Sequence, residues 1–537
     1  MADLQSRLAH LELSSAQALA LALVAALVAV AWHYRDGRAV GTRPRPDLFQ
    51  VPRQQVPLLG DLLSLVRNQD RALDRFVEIR REHGQELAKD RSRAVTMTLP
   101  GRRMIEVSKP EYLEHIQKTN FKNYQKGPVF YRNLSPLLGD GIFCVDGHAW
   151  TTQRKATSKI FTASNFKGII SQALERNLAT LTIIIGRHAD RGEAFDLADL
   201  FFRFTLNSFA EMAFGQDLGS LSTETDEQIP FALAFDEAQV ISNGRFTNPL
   251  WPVLEFFNGK RARMAKLVKV MDDFAYGVID EREREGLGNF TGADKKEAAD
   301  KDLLSLYMAL RDENGEPLTR KMLRDAIFNL IIAGRDTTAQ ALSWTFFHLL
   351  REPKHVASLR NEVDSLGSVD FETFKNLRTT TAVFQEGLRL HPSVPKNVWQ
   401  AVGDDVLPNG GPRIEKGDTV FWSDWAMGRD TSVWGPDAAQ FRPERWLDGE
   451  GALHRESQFK FHAFNGGYRL CLGQNLALYE GTAVLASLLR SFDLDFAPRY
   501  LDSVVMCDTE KTPMYKGALT LSMAEPLLVR ATRRQGA

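Results

Sequence analysis

Near the C-terminal end of the 537-residue chain, one short run restricts what the rest can build: Phe464-Asn-Gly-Gly-Tyr-Arg-Leu-Cys-Leu-Gly473. Cys471 is framed by Gly467, Arg469 and Gly473, with Phe464 seven residues upstream. Glycines on both sides let the backbone turn sharply and let a flat ring approach without a Cβ in the way. N–H groups freed by such a turn can face the sulfur and hold a negative charge on it. Arg469 adds a fixed cation whose planar fork matches a carboxylate. From Gln474 to Leu489 the residues are apolar at helical spacing, so the cysteine sits at a helix N-terminus, where the dipole favours an anion. The other cysteines, Cys144 and Cys507, bring the total to three, an odd number without metal-type spacing. That argues against a disulfide framework and for a reducing compartment.

Three further runs carry chemistry or architecture. A long helix is expected from about Thr319 to Leu350, with Ala333-Gly-Arg-Asp-Thr-Thr338 at its middle. Glycine inside a helix costs about 1 kcal/mol relative to alanine, so function or packing must offset Gly334. A local widening there would open a groove for a diatomic ligand. Thr337 would offer a hydroxyl in an apolar wall, and Asp336 a carboxylate able to move protons from solvent. Glu386 and Arg389 lie three apart on a predicted helix and can form a charge-assisted pair, with Arg445 of Phe441-Arg-Pro-Glu-Arg-Trp446 as a second cation. Trp150 and Arg154 lie four apart on another predicted helix and share a face.

Together these runs resemble the cytochrome P-450 family. The cysteine loop matches F-x-x-G-x-R-x-C-x-G at every fixed position, and Ala477 fits its extension. The remaining runs are similar to the family's A-G-x-D/E-T, E-x-x-R, P-E-R-F/W and W-x-x-x-R elements, in order and at normal spacing, so the resemblance covers essentially the whole chain after its N-terminal segment. It implies a mainly α fold with a small β subdomain and haem b bound through the Cys471 thiolate. It further implies haem contacts from Trp150, Arg154, Phe464, Gly467, Arg469 and Gly473, the first two to a propionate. Asp336 and Thr337 would be the pair that steadies dioxygen and feeds protons, and Glu386, Arg389 and Arg445 would lock the core behind the loop. Ala333 stands where one group of animal relatives has a glutamate esterified to haem, so non-covalent haem is expected. Many relatives carry a basic residue where Trp399 aligns; here Lys396, or a residue of the helix over the haem, is expected to supply that charge.

The implied activity is insertion of one oxygen atom of O2 into a C–H bond of a lipophilic substrate. Leu138-Gly-Asp-Gly-Ile-Phe-Cys-Val-Asp-Gly147 and Asn123-Tyr-Gln-Lys-Gly127 look like the matching segments of fungal and plant members that hydroxylate fatty-acid chains near the terminal carbon. Fatty acids or alkane-like chains are therefore the expected substrates, with terpenoid or other secondary metabolites as the alternative. A thiolate-haem isomerase needing no O2 and a non-catalytic haem-binding membrane protein are more remote, since neither needs the Asp336–Thr337 pair. No Walker A loop or dinucleotide fingerprint is present. Electrons from NADPH must then arrive through NADPH–cytochrome P-450 reductase, with cytochrome b5 as an accessory donor. A net charge of -1 gives no reason to expect nucleic acid.

The N-terminus carries the membrane signal. Ala18 to Trp32 is wholly apolar, and counted to Tyr34 the span approaches the ~20 residues that cross a hydrocarbon core. Trp32-His33-Tyr34 fits an interfacial belt, and Arg35, Arg38, Arg43 and Arg45 place the following bulk on the cytosolic side. The expected organisation is a lumenal tail over 1–17, a single transmembrane anchor over 18–34, and a basic, proline-rich linker over 35–60. The catalytic domain over 61–537 follows, facing the cytosol from the endoplasmic reticulum membrane. Between Asp280 and Asp302 the charged, glycine-bearing run reads as a solvated loop.

Overall fold

The computed structural model describes residues 15–52, 54–159, 161, 166–222, 229–284, 302–311, 315–366, 370, 372–507 and 512–534. Most of the run read as a solvated loop, 285–301, and residues 1–14 of the N-terminal tail lie outside them. Helices dominate. The longer ones are α1 (Ser15–His33), α2 (Ala72–Lys89), α3 (Gly127–Leu138), α4 (Gly147–Ser158), α5 (Ser171–Arg191), α6 (Leu197–Phe214), α7 (Pro230–Thr247) and α8 (Lys260–Arg284). They continue with α9 (Arg320–Ile331), α10 (Thr337–Arg351), α11 (Lys354–Ser365), α12 (Arg378–Leu390) and α13 (Gln474–Ser491).

The strands are few and short. A six-stranded sheet has the order β1 (Phe49–Gln50), β2 (Val95–Leu99), β3 (Arg102–Glu106), β9 (Thr419–Ser423), β6 (Lys396–Ala401), β4 (Tyr124–Gln125). β2 and β3 form a hairpin turning at Pro100-Gly101, paired Leu99 to Arg102. A second sheet joins β10 (Phe492–Phe496), β11 (Leu528–Arg533) and β5 (Phe195–Asp196), and β7 (Asp405–Val406) pairs with β8 (Arg413–Ile414). The mainly helical architecture with a small sheet region follows the expected fold class.

The core sits where apolar faces meet. One cluster gathers Leu181, Phe201, Phe204, Trp344, Phe346, Phe384 and Leu485 from α5, α6, α10, α12 and α13. A second gathers Leu137, Phe214, Phe235, Met271 and Phe328 from α3, α6, α7, α8 and α9. α10 is buried along nearly its whole length, and its buried polar side chains are hydrogen-bonded, Ser343 and Thr345 to carbonyls one turn back and Gln340 to Thr520. Its approach to α12 depends on Gly387, where a Cβ would lie 2.1 Å from Thr345 Oγ1. Behind the cysteine loop, Glu386 accepts from Arg389 Nε and Nη2 at 2.8 and 2.7 Å, Arg445 Nε at 3.0 Å, Trp446 Nε1 at 2.9 Å and the Arg442 N–H at 2.8 Å. All four lone-pair directions of this buried carboxylate are thus used, which is what makes a buried charge tolerable.

Among the described residues no helix is long and apolar enough to cross a membrane. α1 comes nearest. Its 19 residues rise about 28 Å, just short of a ~30 Å hydrocarbon core. Leu19, Leu21, Leu23, Val24, Val28 and Trp32 are exposed along it. The segment read as a linker is docked rather than free: Phe49–Gln50 pairs in parallel with β2, and buried Arg45 reaches Asp418 at 3.0 Å and the Arg413 carbonyl at 2.8 Å.

Candidate active site

Between α9 and α10 the helix widens into a π-turn over Ile332–Asp336, the widening expected at Gly334. Asn329 and Ile331 are buried before it and Thr338 after it, yet Ala333, Gly334 and Thr337 keep accessible surface. Spaced one and four apart, they line an internal space on one face of the helix. The glycine itself has a packing reason. A Cβ on Gly334 would stand 2.0 Å from the Phe209 ring, so an α6 side chain takes the room its hydrogen leaves.

Thr337 Oγ1 donates to the Ala333 carbonyl at 2.6 Å, which leaves its lone pairs directed away from the backbone. Asp336 is buried, and Oδ2 accepts from Gln239 Nε2 of α7 at 2.7 Å. Arg335 pairs with Asp336 Oδ1 at 3.2 Å and with half-exposed Asp236 at 2.5 Å. Burial pushes the Asp336 carboxyl up to about 6, against the pull of Arg335 and the Gln239 hydrogen bond and with the push of Asp236. The group can therefore both hold and release a proton near neutrality.

At the cysteine loop, the Cys471 N–H donates to the Phe464 carbonyl at 2.8 Å and closes the turn. Cys471 keeps accessible surface although protein encloses it. Its thiol therefore opens onto an interior cavity. Burial raises the thiol pKa, while the Gly473 N–H and the Arg154 charge lower it. Arg154 also donates to the Leu470 carbonyl, so it braces the loop backbone directly. Gly467 has φ +59°, and a Cβ there would lie 2.1 Å from the Gln117 carbonyl oxygen. The glycine makes room for a neighbouring backbone. Gln117 belongs to a support that sequence reasoning missed. Asp424 Oδ1 meets His462 Nδ1 at 2.6 Å, His462 Nε2 meets Gln117 Oε1 at 2.9 Å, and Gln117 Nε2 donates to Asn465 Oδ1 at 2.8 Å.

A second group lies at the edge of the same region. Arg469 stacks 4.6 Å over Trp150 and 5.7 Å from the Trp399 ring, and its Nη2 donates to Asp146 Oδ1 at 2.7 Å and the Val145 carbonyl at 3.0 Å. One arm of the fork expected to meet a carboxylate ligand, Nη2, is thus engaged by the protein. Asp146 sits at the α4 N-cap without capping it; its carboxylate accepts the N–H groups of Lys126 and Gly127 at 3.0 and 3.1 Å. Lys126 Nζ donates to Asn397 Oδ1 at 2.9 Å and lies 5.7 Å over Trp399. Burial, reinforced by Arg469, pushes the Lys126 ammonium down to about 7. Neither Asp146 nor Lys126 was singled out by motif: their side-chain partners Arg469 and Asn397 lie hundreds of residues away.

Other segments close on α10. Ser393 Oγ donates to the Thr337 carbonyl at 2.7 Å, the Leu521 N–H to the Ser393 carbonyl at 3.0 Å, and Trp344 Nε1 to the Leu521 carbonyl at 2.8 Å. The segment at Tyr515 is held by that residue's hydroxyl, which donates to Asp74 Oδ2 at 3.1 Å.

An enclosed cysteine on a glycine-bounded loop and an acid–alcohol pair on a widened buried helix define a haem-thiolate protein of mainly helical fold. The cytochrome P450 family pattern matches residues 51–511, and the chain belongs to that family. It is 42% identical to cytochrome P450 monooxygenase cyp1 of Mycosarcoma maydis over 92% of this chain and 77% of that one. It is 30% identical to cytochrome P450 704B1 of Arabidopsis thaliana over 96% of this chain and all of the other, and 35% identical to cytochrome P450 86B1 of the same plant over 79% and 76%. The protein is therefore an oxygen-incorporating oxidoreductase that uses O2, a small-molecule substrate and a redox partner. The family binds haem b through a cysteine thiolate. The residues present fit that group: an enclosed thiol with an N–H aimed at it, and an unpartnered buried indole donor, Trp399 Nε1, beside the Lys126 cation.

Proposed function

We propose that this protein hydroxylates fatty acids or alkane-like chains at or near the methyl end, with electrons from NADPH through NADPH–cytochrome P450 reductase and with cytochrome b5 as an accessory donor. The reaction consumes the chain, O2, NADPH and a proton, and yields the alcohol, water and NADP+. Haem, when bound, would supply oxygen activation and C–H cleavage, and the Cys471 thiolate would hold its iron. Trp150, Arg154, Phe464, Gly467, Arg469 and Gly473 frame it. The observation that carries the reading is the buried Asp336 carboxyl beside Thr337, poised to gain and lose a proton within the described helix. Asp336 takes protons from the solvent side, where half-exposed Asp236 meets buried Arg335, and passes them toward the cavity. The Thr337 hydroxyl positions the oxygen to be protonated. Ala333 and Gly334 keep the wall apolar and dry. An isomerase or a passive haem carrier has no use for this pair. The acyl-chain preference rests on the segments Asn123–Gly127 and Leu138–Gly147, which resemble those of chain-hydroxylating fungal and plant members.

Residues 18–34 serve as a single-pass anchor in the endoplasmic reticulum membrane, with 1–17 lumenal, 35–60 as the basic linker and the catalytic domain over 61–537 in the cytosol. The exposed apolar length of α1 supports this. The test is product analysis of the protein in reductase-supplemented membranes with NADPH and fatty acids of graded length. Terminal or near-terminal hydroxy acids that vanish in Cys471→Ala are expected. A thiolate-type carbonyl complex without oxidation of any fatty acid would remove the substrate assignment.

A further inference from the structure

Where many relatives have a cation, this chain has Trp399, and the sequence left the missing charge to Lys396 or to the helix over the haem. The geometry points to Lys126: we propose that its ammonium and the Trp399 indole N–H together hold one haem carboxylate, in place of a single basic side chain at position 399. This rests on the haem-binding reading above.

Four observations carry it. The Trp399 indole is buried, and its Nε1–H has no acceptor among the described residues. Lys126 Nζ lies 5.7 Å over that same ring and bonds only a neutral oxygen, Asn397 Oδ1; no carboxylate among the described residues pairs with it. Asp146, whose charge reaches Lys126, already accepts from Arg469 and from two backbone N–H groups. An enclosed cation and an enclosed donor side by side, both without an anionic partner, are complementary to the two oxygens of one carboxylate. The fourth concerns register. Asn397 and Trp399 alternate onto one face of β6, the face Lys126 touches, whereas Lys396 alternates to the other. Lys396 is therefore not the substitute. Arg469, fixed between the Trp150 and Trp399 rings and tied to Asp146, sets the shape of the pocket's edge.

The experiment measures haem loss to excess apomyoglobin from purified holoenzyme, as wild type, Lys126→Met, Lys126→Arg and Trp399→Phe. Each is reconstituted with protohaem and with its dimethyl ester, which has no free carboxylate. Lys126→Met should lose protohaem about tenfold faster than wild type. Trp399→Phe should also be faster, and Lys126→Arg close to wild type. With the dimethyl ester, Lys126→Met and wild type should lose haem at the same rate. Unchanged loss of protohaem from Lys126→Met overturns the assignment. So does an equal acceleration with the dimethyl ester, since that signals a loosened fold rather than a lost carboxylate contact. A wild-type protein that forms no thiolate-type carbonyl complex would remove the haem reading itself; a normal complex with Lys126-independent haem loss removes this inference alone.

Discussion

Asp336 is an acid whose proton affinity is set by opposing neighbours. Burial raises its pKa to about 6, while Arg335 and the Gln239 amide pull it down. Replacing it by Asn keeps the shape and removes the exchangeable proton, so hydroxylation should fall about 100-fold, the scale of general-acid catalysis. NADPH oxidation should continue with hydrogen peroxide accumulating, and the ratio of product to NADPH consumed measures this. Gln239→Leu removes a donor that favours the ionised carboxyl, so the Asp336 pKa should rise further. The pH dependence of that ratio should then shift to higher pH; a profile unchanged from wild type would disconnect Gln239 from the acid. Cys471, Asp336 and Thr337 could be picked out because the runs that frame them span no more than ten positions of chain. Arg469–Asp146 was not, since its partners are 323 residues apart and no local period encodes the meeting. The glycines were half legible. Position showed that a hydrogen was needed at Gly334 and Gly467, but only packing shows that Phe209 and the Gln117 backbone use the room.

Among elements, α6, α10 and α13 meet around the buried Glu480. Its carboxyl accepts from Ser208 Oγ at 2.8 Å and from Thr338, and burial pushes its pKa up to about 7 against both hydrogen bonds. The folded state therefore binds this proton more tightly than the unfolded chain, whose ordinary value is 4.5. The favourable contribution is whole below about pH 4.5 and is lost as pH rises through about 7. Glu480→Gln keeps the acceptors without the titration. It should match wild type near pH 4 and exceed it above pH 7, by up to about 3 kcal/mol, in denaturant unfolding. No motif announced this carboxylate. The Glu386 cluster, by contrast, was largely announced: Arg389 sits one helical turn away and Arg445 was expected as the second cation, while the Trp446 indole and the Arg442 N–H were not. Helix and strand existence followed from local pattern; what each helix crosses did not.

For the whole molecule, α1 stands apart from the packed body in presenting Leu19, Leu21, Leu23 and Trp32 outward. A chain beginning at Arg35 should leave the membrane pellet after alkaline carbonate while keeping its thiolate-type carbonyl spectrum. The full chain should stay with the membrane, and its release would remove the anchor assignment. The docked Phe49–Gln50 strand and the Arg45–Asp418 pair place the end of any flexible leash earlier than proline content alone suggested. The joint at Thr337 has a consequence in time. The carbonyl of Thr337 is tied to Ser393, and Ser393 to Leu521, so this wall needs chain from both ends of a separation of about 184 residues. At ~5–20 residues per second, synthesis leaves the growing chain without its closing segment for about 10–40 seconds after Thr337 is added. Closure of this wall is thereby an event of the nearly finished polypeptide, since the Leu521 N–H that ties Ser393 is among the last parts of the chain to be made.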